Sequence, residues 1–311
     1  MHMEQQKGMH EGLQGGLQGS RQESLQGGLQ DSRQGGLQDI KAVVFDLDGT
    51  LYQDHDFYKG YIEMLLDGSP WARSTERIIA IADAILSGRA AQKMGWFFDR
   101  GTAKPISSID DLQEIRLHEN SEPNFSPHFY SDSYAFVGDA WSVVMILSPL
   151  LDIAPEKRRA AFLGTRQRML EQNTLIRCAG LRSALERLAG QGGADLYLYT
   201  NTPQEGAVGF VEALGLSGLI PDANIEYGIK KPYGLQSRLP GIIERAGGAG
   251  HVLSVGDHSF NDLSPAKAAG AKTALVSLYT IYDNIDWDYR IQTLEQLGGL
   301  LEEIMRMGVA V

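Results

Sequence analysis

A single cysteine, Cys178, stands in a chain of 311 residues. That excludes an intrachain disulfide and a cysteine-based zinc cluster, and it fits a reducing compartment. No apolar run approaches the roughly 20 residues of a membrane span. The opening stretch MHMEQQKGMHEG lacks a basic segment followed by an apolar one. A soluble cytoplasmic protein with no membrane partner is the expectation. Basic charge is also scarce, with 28 Lys and Arg against 39 Asp and Glu for a formal net charge of -11. Neutralising a nucleic-acid backbone takes clustered Lys and Arg, so a broad nucleic-acid surface is excluded, while a small patch for an anion is not.

The chain is not short of apolar residues, at 43%, so a core domain plus a second unit fits its length. Residues 1–39 contain a repetitive segment with glutamine at every fourth position from Gln14 to Gln38. The glycines between them each disfavour helix by about 1 kcal/mol, and a low-complexity, disordered tail or interaction arm is expected. Residues 55–178 read as a mostly helical insertion. Ser69-Pro70 marks a helix start ahead of an apolar stripe through Ile78, Ile79, Ile81, Ala82, Ile85 and Leu86. A polar loop is expected from Ala103 to about Asp132, then helices over DAWSVVMILSPLL and APEKRRAAFLGTRQRMLEQ.

From residue 179 strand and helix patterns alternate: ADLYLYTN, DANIEYG, HVLSVGD and KTALVSL read as strands, with helices between them, one of them over LPGIIERAG, and a closing helix from Thr293 to Met307. Such alternation predicts an α/β fold, a doubly wound parallel sheet covered on both faces. The opening strand KAVVFDLDGTL joins that sheet, so residues 40–54 and 179–311 form one core and the insertion a second domain. Val43, Val44 and Phe45 read as fully buried, and burying Asp46 at the end of that run costs free energy unless something pairs with it.

In a parallel sheet of this kind the site lies beyond the carboxyl ends of the strands. Polar residues suited to it stand there: Asp46 with Asp48, Thr200 with Asn201, Lys231 one loop later, and Asp257 with Asp262. Carboxylates about 4 Å apart repel by roughly 4 kcal/mol at an effective dielectric of 20, so these four need a cation. Oxygen ligands select Mg2+, and Lys231 supplies a second positive charge.

The stretches DLDGTL, LYTNT, KKPYG and VGDHSFND, in this order, resemble the four motifs of the haloacid dehalogenase-like superfamily. The resemblance covers the core and implies a helical cap inserted after the first motif. It implies Asp46 as a nucleophile that forms an aspartyl-phosphate, Asp48 as acid and base, and Thr200, Asn201 and Lys231 as ligands of the substrate phosphate. It places Mg2+ on Asp46, the backbone carbonyl of Asp48, and Asp257, with Asp262 acting directly or through water. Members that attack carbon carry no aspartate at the position of Asp48, so the resemblance favours a phosphatase acting on a small phosphomonoester. A phosphomutase, and a non-catalytic binding protein recruited through the glutamine-rich tail, are the alternatives.

Blander readings stand beside these. Asp46 and Asp48 could cap a turn before Gly49, Asp262 could be an acid at a helix start, and Asn261 a helix cap. Lys230 and His258 read as uninvolved neighbours. Arg158, Arg159, Arg166 and Arg168 read as a solvated helical face, and Trp71, Trp96 and Trp141 as core. The AGGAG run at 246–250 precedes a strand and reads as helix termination.

Overall fold

The structure, a computed structural model, describes residues 39–113, 133–190 and 193–308. The glutamine-rich segment and part of the expected polar loop lie outside them.

Eight strands are described: β1 (Ala42–Phe45), β2 (Phe97–Asp99), β3 (Tyr134–Phe136), β4 (Asp195–Thr200), β5 (Ile225–Tyr227), β6 (Val252–Gly256), β7 (Lys272–Val276) and β8 (Tyr289–Ile291). The helices are α1 (Phe57–Leu66), α2 (Thr75–Leu86), α3 (Ile109–Gln113), α4 (Ala140–Leu150), α5 (Pro155–Glu171), α6 (Ala179–Gly190), α7 (Gln204–Ala213), α8 (Tyr233–Ala246), α9 (Ser264–Ala268) and α10 (Leu294–Gly308). Six strands form one parallel sheet in the order β5-β4-β1-β6-β7-β8, and β2 pairs antiparallel with β3.

The doubly wound α/β reading holds, with β1 at the centre. All four of its residues are buried, because a strand covered by helices on both faces has no solvent side. Phe45 pairs with Leu198 on β4 and with Val255 on β6. The three strands therefore end side by side. Asp46, Thr200 and Asp257 emerge at one edge, and Asp46 adds one more rung by donating its backbone N–H to Val255 O at 2.9 Å.

Residues 55–178 carry five helices and the antiparallel β2–β3 pair among the described residues. The aromatic rings of α1, α4 and α5 hold this segment together. Phe57 stacks on Trp141 at 4.1 Å, and Trp141 meets Phe162 edge-on at 5.1 Å. These rings are packed on the same apolar cluster that covers one face of the sheet. Trp141 is thus core, as expected, and Trp71 and Trp96 are anchored through their indole N–H groups to Leu151 O and Tyr282 O.

Several elements differ from expectation. Helix α2 starts at Thr75, after a short turn over Ala72–Ser74, and not at Ser69-Pro70. Helix α8 starts at Tyr233 and runs through Pro240, which had marked the start of the expected helix over LPGIIERAG. The carbonyl that Pro240 leaves without a helical donor belongs to Gln236, which is exposed, so water can satisfy it. The AGGAG run does end a helix: Gly247 takes φ +82° and its N–H donates to Ile243 O.

Candidate active site

The turn after β1 fits only because residue 49 is glycine. Its φ is +73°, and a Cβ there would stand 2.0 Å from Asp257 Oδ2. Gly256 makes the matching allowance on β6, where a Cβ would stand 2.3 Å from the Asp262 side chain. These two close approaches let carboxylates from the ends of β1 and β6 converge.

Lys231 Nζ lies between two of them, 2.5 Å from Asp46 Oδ1 and 2.5 Å from Asp262 Oδ1, with all three side chains almost fully buried. Its backbone N–H donates to Asn201 Oδ1 at 2.6 Å, which ties the loop after β5 to the end of β4. Thr200 is buried at that end and its hydroxyl accepts from the Thr202 N–H at 3.0 Å. Lys230 is exposed, with φ +57°. Asp262 also accepts from the His258 N–H at 2.9 Å, so it is held by two elements and is no bare helix-start acid. The His258 ring caps the Asn261 N–H at 3.2 Å, and both residues line the cavity described below.

The Asp46, Asp257 and Asp262 carboxylates place ligand atoms within 4.8 Å of one another. Burial pushes the Asp46 carboxyl up to about 8. Lys231 pulls it down, while Asp262 and Asp48 push it further up. Burial raises Asp257 well above the carboxylate range too, with Asp139, Asp46, Asp262 and Asp48 adding to the rise. Crowded carboxylates that resist ionising are the donor set a hard cation relieves, so the residues present fit a divalent ion with oxygen ligands.

Asp48 is set apart from that cluster. Its Oδ1 accepts from Tyr52 Oη at 2.5 Å and Arg166 Nη1 at 2.6 Å, and its Oδ2 accepts from Thr202 Oγ1 at 2.6 Å. Burial opposes ionisation here, but the charge of Arg166 and the hydrogen bonds from Thr202, Tyr52 and Arg166 outweigh it and hold the carboxyl below its ordinary value. Two carboxylates separated by one residue thus have opposite environments.

Arg166 corrects the solvated-face reading of the α5 arginines. It is 1% exposed, whereas Arg159 is exposed and Arg168 half-buried, and these two pair with Glu205 and Glu63. Sequence reasoning also missed Tyr52 and Thr202. A signal for Arg166 was present: it falls on the buried stripe of Ala161, Thr165 and Met169, where an apolar residue belongs.

A cavity of about 460 Å³ opens over these groups. Asp46, Asp48, Thr200, Asn201, Lys231, Asp257 and Asp262 all line it, so the seven residues singled out in the sequence share one space. Trp141, Ser142, Met145 and Phe162 of the inserted segment line it as well. Among the described residues, no helix is long and apolar enough to cross a membrane.

The chain is similar in structure to a HAD phosphatase from Thermococcus onnurineus, with 17% identity over 84% of this chain and 98% of the other and a TM-score of 0.44. A protein of Bacillus subtilis assigned as a HAD-hydrolase and bound to magnesium gives 17% identity over 85% and 99%, with a TM-score of 0.47. A 2-haloacid dehalogenase from Pseudomonas syringae gives 20% over 85% and 98%, with a TM-score of 0.39. No curated protein matches the sequence. The sequence model of one family, haloacid dehalogenase-like hydrolase, matches residues 40–270, from β1 past β6 and α9. With well over half of its length matched, the chain belongs to the haloacid dehalogenase-like hydrolases.

Proposed function

We propose that this hydrolase is a Mg2+-dependent phosphatase that cleaves a small phosphomonoester through an aspartyl-phosphate at Asp46. The observation that carries the reading is the second carboxylate, Asp48, which lines the same cavity as Asp46 but sits in an environment of its own. Displacement at phosphorus with an alkoxide leaving group needs proton transfer beside the nucleophile, and displacement of halide from carbon does not.

In this reading an Asp46 oxygen attacks phosphorus as the bond to the leaving oxygen breaks, and Asp48 gives that oxygen a proton. The Asp48 carboxylate then takes a proton from water, whose oxygen displaces Asp46 from phosphorus, so one turnover restores both groups. Arg166 favours the ionised form of Asp48. The negative charge of a bound phosphate favours the protonated one, and substrate entry therefore readies the acid. Lys231 and the Thr200 hydroxyl hold the phosphoryl oxygens, with Asn201 orienting the lysine's loop. Asp46, Asp257 and Asp262, with the backbone carbonyl of Asp48, would hold Mg2+, whose charge when bound offsets that of the phosphoryl group.

Residues 55–178 would act as a cap that excludes water and reads the non-phosphate part of the substrate, a role supported by the side chains they contribute to the cavity, Trp141, Met145 and Phe162 among them. A cytoplasmic location is in keeping with the lone cysteine.

The test is phosphate release from a panel of small phosphomonoesters, including an aryl phosphate, with Mg2+ and with EDTA. Release that needs Mg2+ is expected. A silent panel with metal present would overturn the reading.

A further inference from the structure

We propose that Arg166 is a positioning residue for proton transfer: delivered from the inserted segment, its guanidinium anchors Asp48 Oδ1 and leaves Oδ2 as the oxygen that exchanges protons with substrate. The inference rests on the acid–base reading of Asp48 given above.

The geometry is closely determined. Arg166 Nη1 bonds Asp48 Oδ1 at 2.6 Å, and its Nε donates to Gly206 O on α7 at 2.7 Å. The guanidinium carbon lies 3.9 Å from the centre of the Phe210 ring and 5.6 Å from those of Trp141 and Phe162. Aromatic faces and two directed hydrogen bonds thus fix the plane of the fork, which a lysine ammonium on a flexible stem cannot reproduce.

Counting acceptor sites then separates the two oxygens of Asp48. An ionised carboxylate offers about four lone-pair sites, two on each oxygen. Tyr52 and Arg166 occupy both on Oδ1, and Thr202 occupies one on Oδ2. The site left over is on Oδ2, and Asp48 lines the cavity.

Packing alone does not explain an arginine here. A buried ion pair is no more stabilising than well-packed apolar residues of similar volume, and the rest of this helix stripe is Ala161, Thr165 and Met169. Proton transfer, in contrast, requires the two heavy atoms within about 2.6 to 3.2 Å, and a displacement of about 1 Å can cost on the order of 100-fold in rate. Because α5 belongs to the insertion and Gly206 to the core, the anchor exists only while the two pack together.

The experiment measures kcat/KM for a series of phosphomonoesters that differ in leaving-group acidity, from alkyl phosphates to 4-nitrophenyl phosphate, whose leaving oxygen needs no proton. The Arg166→Lys and Arg166→Gln variants are compared with the parent. Alkyl substrates are expected to lose about 10-fold or more with Lys and more with Gln, and 4-nitrophenyl phosphate to change less than about twofold. Tyr52→Phe, which removes the other hydrogen bond to Oδ1, is expected to steepen the same leaving-group dependence, and it decides the matter if neither arginine variant folds. An equal loss for every leaving group, or no loss, overturns the role of Arg166 while the phosphatase reading stands. A parent enzyme that releases phosphate from no member of the series overturns both.

Discussion

Gly49 and Asp257 touch only because residue 49 has no side chain: a Cβ at that position would lie 2.0 Å from Asp257 Oδ2. The positive φ of Gly49 adds a conformational requirement to the steric one. A Gly49→Ala variant therefore suffers twice. Its strained backbone costs about 1 to 3 kcal/mol of stability, and its methyl group pushes Asp257 away from Asp46 and Asp262. A Mg2+ half-saturation concentration about 10-fold higher or more, from titrations of phosphate release, together with a lower denaturant midpoint, is the expected outcome. An unchanged metal requirement would remove Asp257 from the ligand set.

Asp46→Asn separates chemistry from folding. The amide is nearly the same size, and its neutrality suits a position where burial already pushes the carboxyl up to about 8. Lys231 keeps its bond to Asp262. Turnover should fall by about 10⁴-fold or more, as for loss of a nucleophile, with the melting temperature within a few degrees of the parent. Residual phosphatase activity within about 10-fold of the parent would exclude Asp46 as the attacking group.

A stability role with no part in the chemistry is expected for Asp283, in the stretch between β7 and β8. It is fully buried, with Oδ2 accepting from Trp287 Nε1 at 2.7 Å and Oδ1 from Arg290 Nη2 at 2.9 Å. Its neighbour Tyr282 donates its N–H to Met94 O at 2.8 Å, so this stretch braces the inserted segment. Asp283→Ala takes an acceptor from the Trp287 indole N–H and one of two from Arg290 Nη2, which keeps Ile285 O, and should cost about 1 to 3 kcal/mol, read from chemical denaturation. The kcat of the folded variant should match the parent, and a large loss of kcat with normal stability would contradict this assignment.

The sheet was readable in the sequence because β1, β4, β6 and β7 are mostly apolar runs of four to six residues, each followed by a polar residue. The paired strands β2 and β3 and the edge strand β8 were not, since three residues are too few to show a period, and β5, equally short, was legible only from its place between two helices. The carboxylates and Lys231 could be read from their places at strand ends. What joins them to the insertion could not. Arg166 meets Asp48 across 118 positions of sequence, and only the packing of α5 on α7 shows that its charge is buried. The oddity of an arginine on an apolar stripe was visible, but its partner was not.

Proton and metal should compete for the carboxylate cluster, and the sign of that competition can be measured. Burial pushes the Asp46 carboxyl from its ordinary value of 3.8 up to about 8, and that of Asp257 is also raised. Between those values the folded state holds more protons than the unfolded state. The stability contributed by the protonated carboxyls is therefore complete below about pH 4 and is lost as pH rises through about 8, at no more than about 1.4 kcal/mol per pH unit for each proton. A divalent cation binds the ionised forms and reverses the trend. Thermal melts in EDTA should shift downward from pH 5 to 8.5, and the gain in melting temperature on adding Mg2+ should widen over the same interval. Asp46→Asn should flatten the EDTA series. A Mg2+ gain that narrows as pH rises would place the ion away from Asp46 and Asp257.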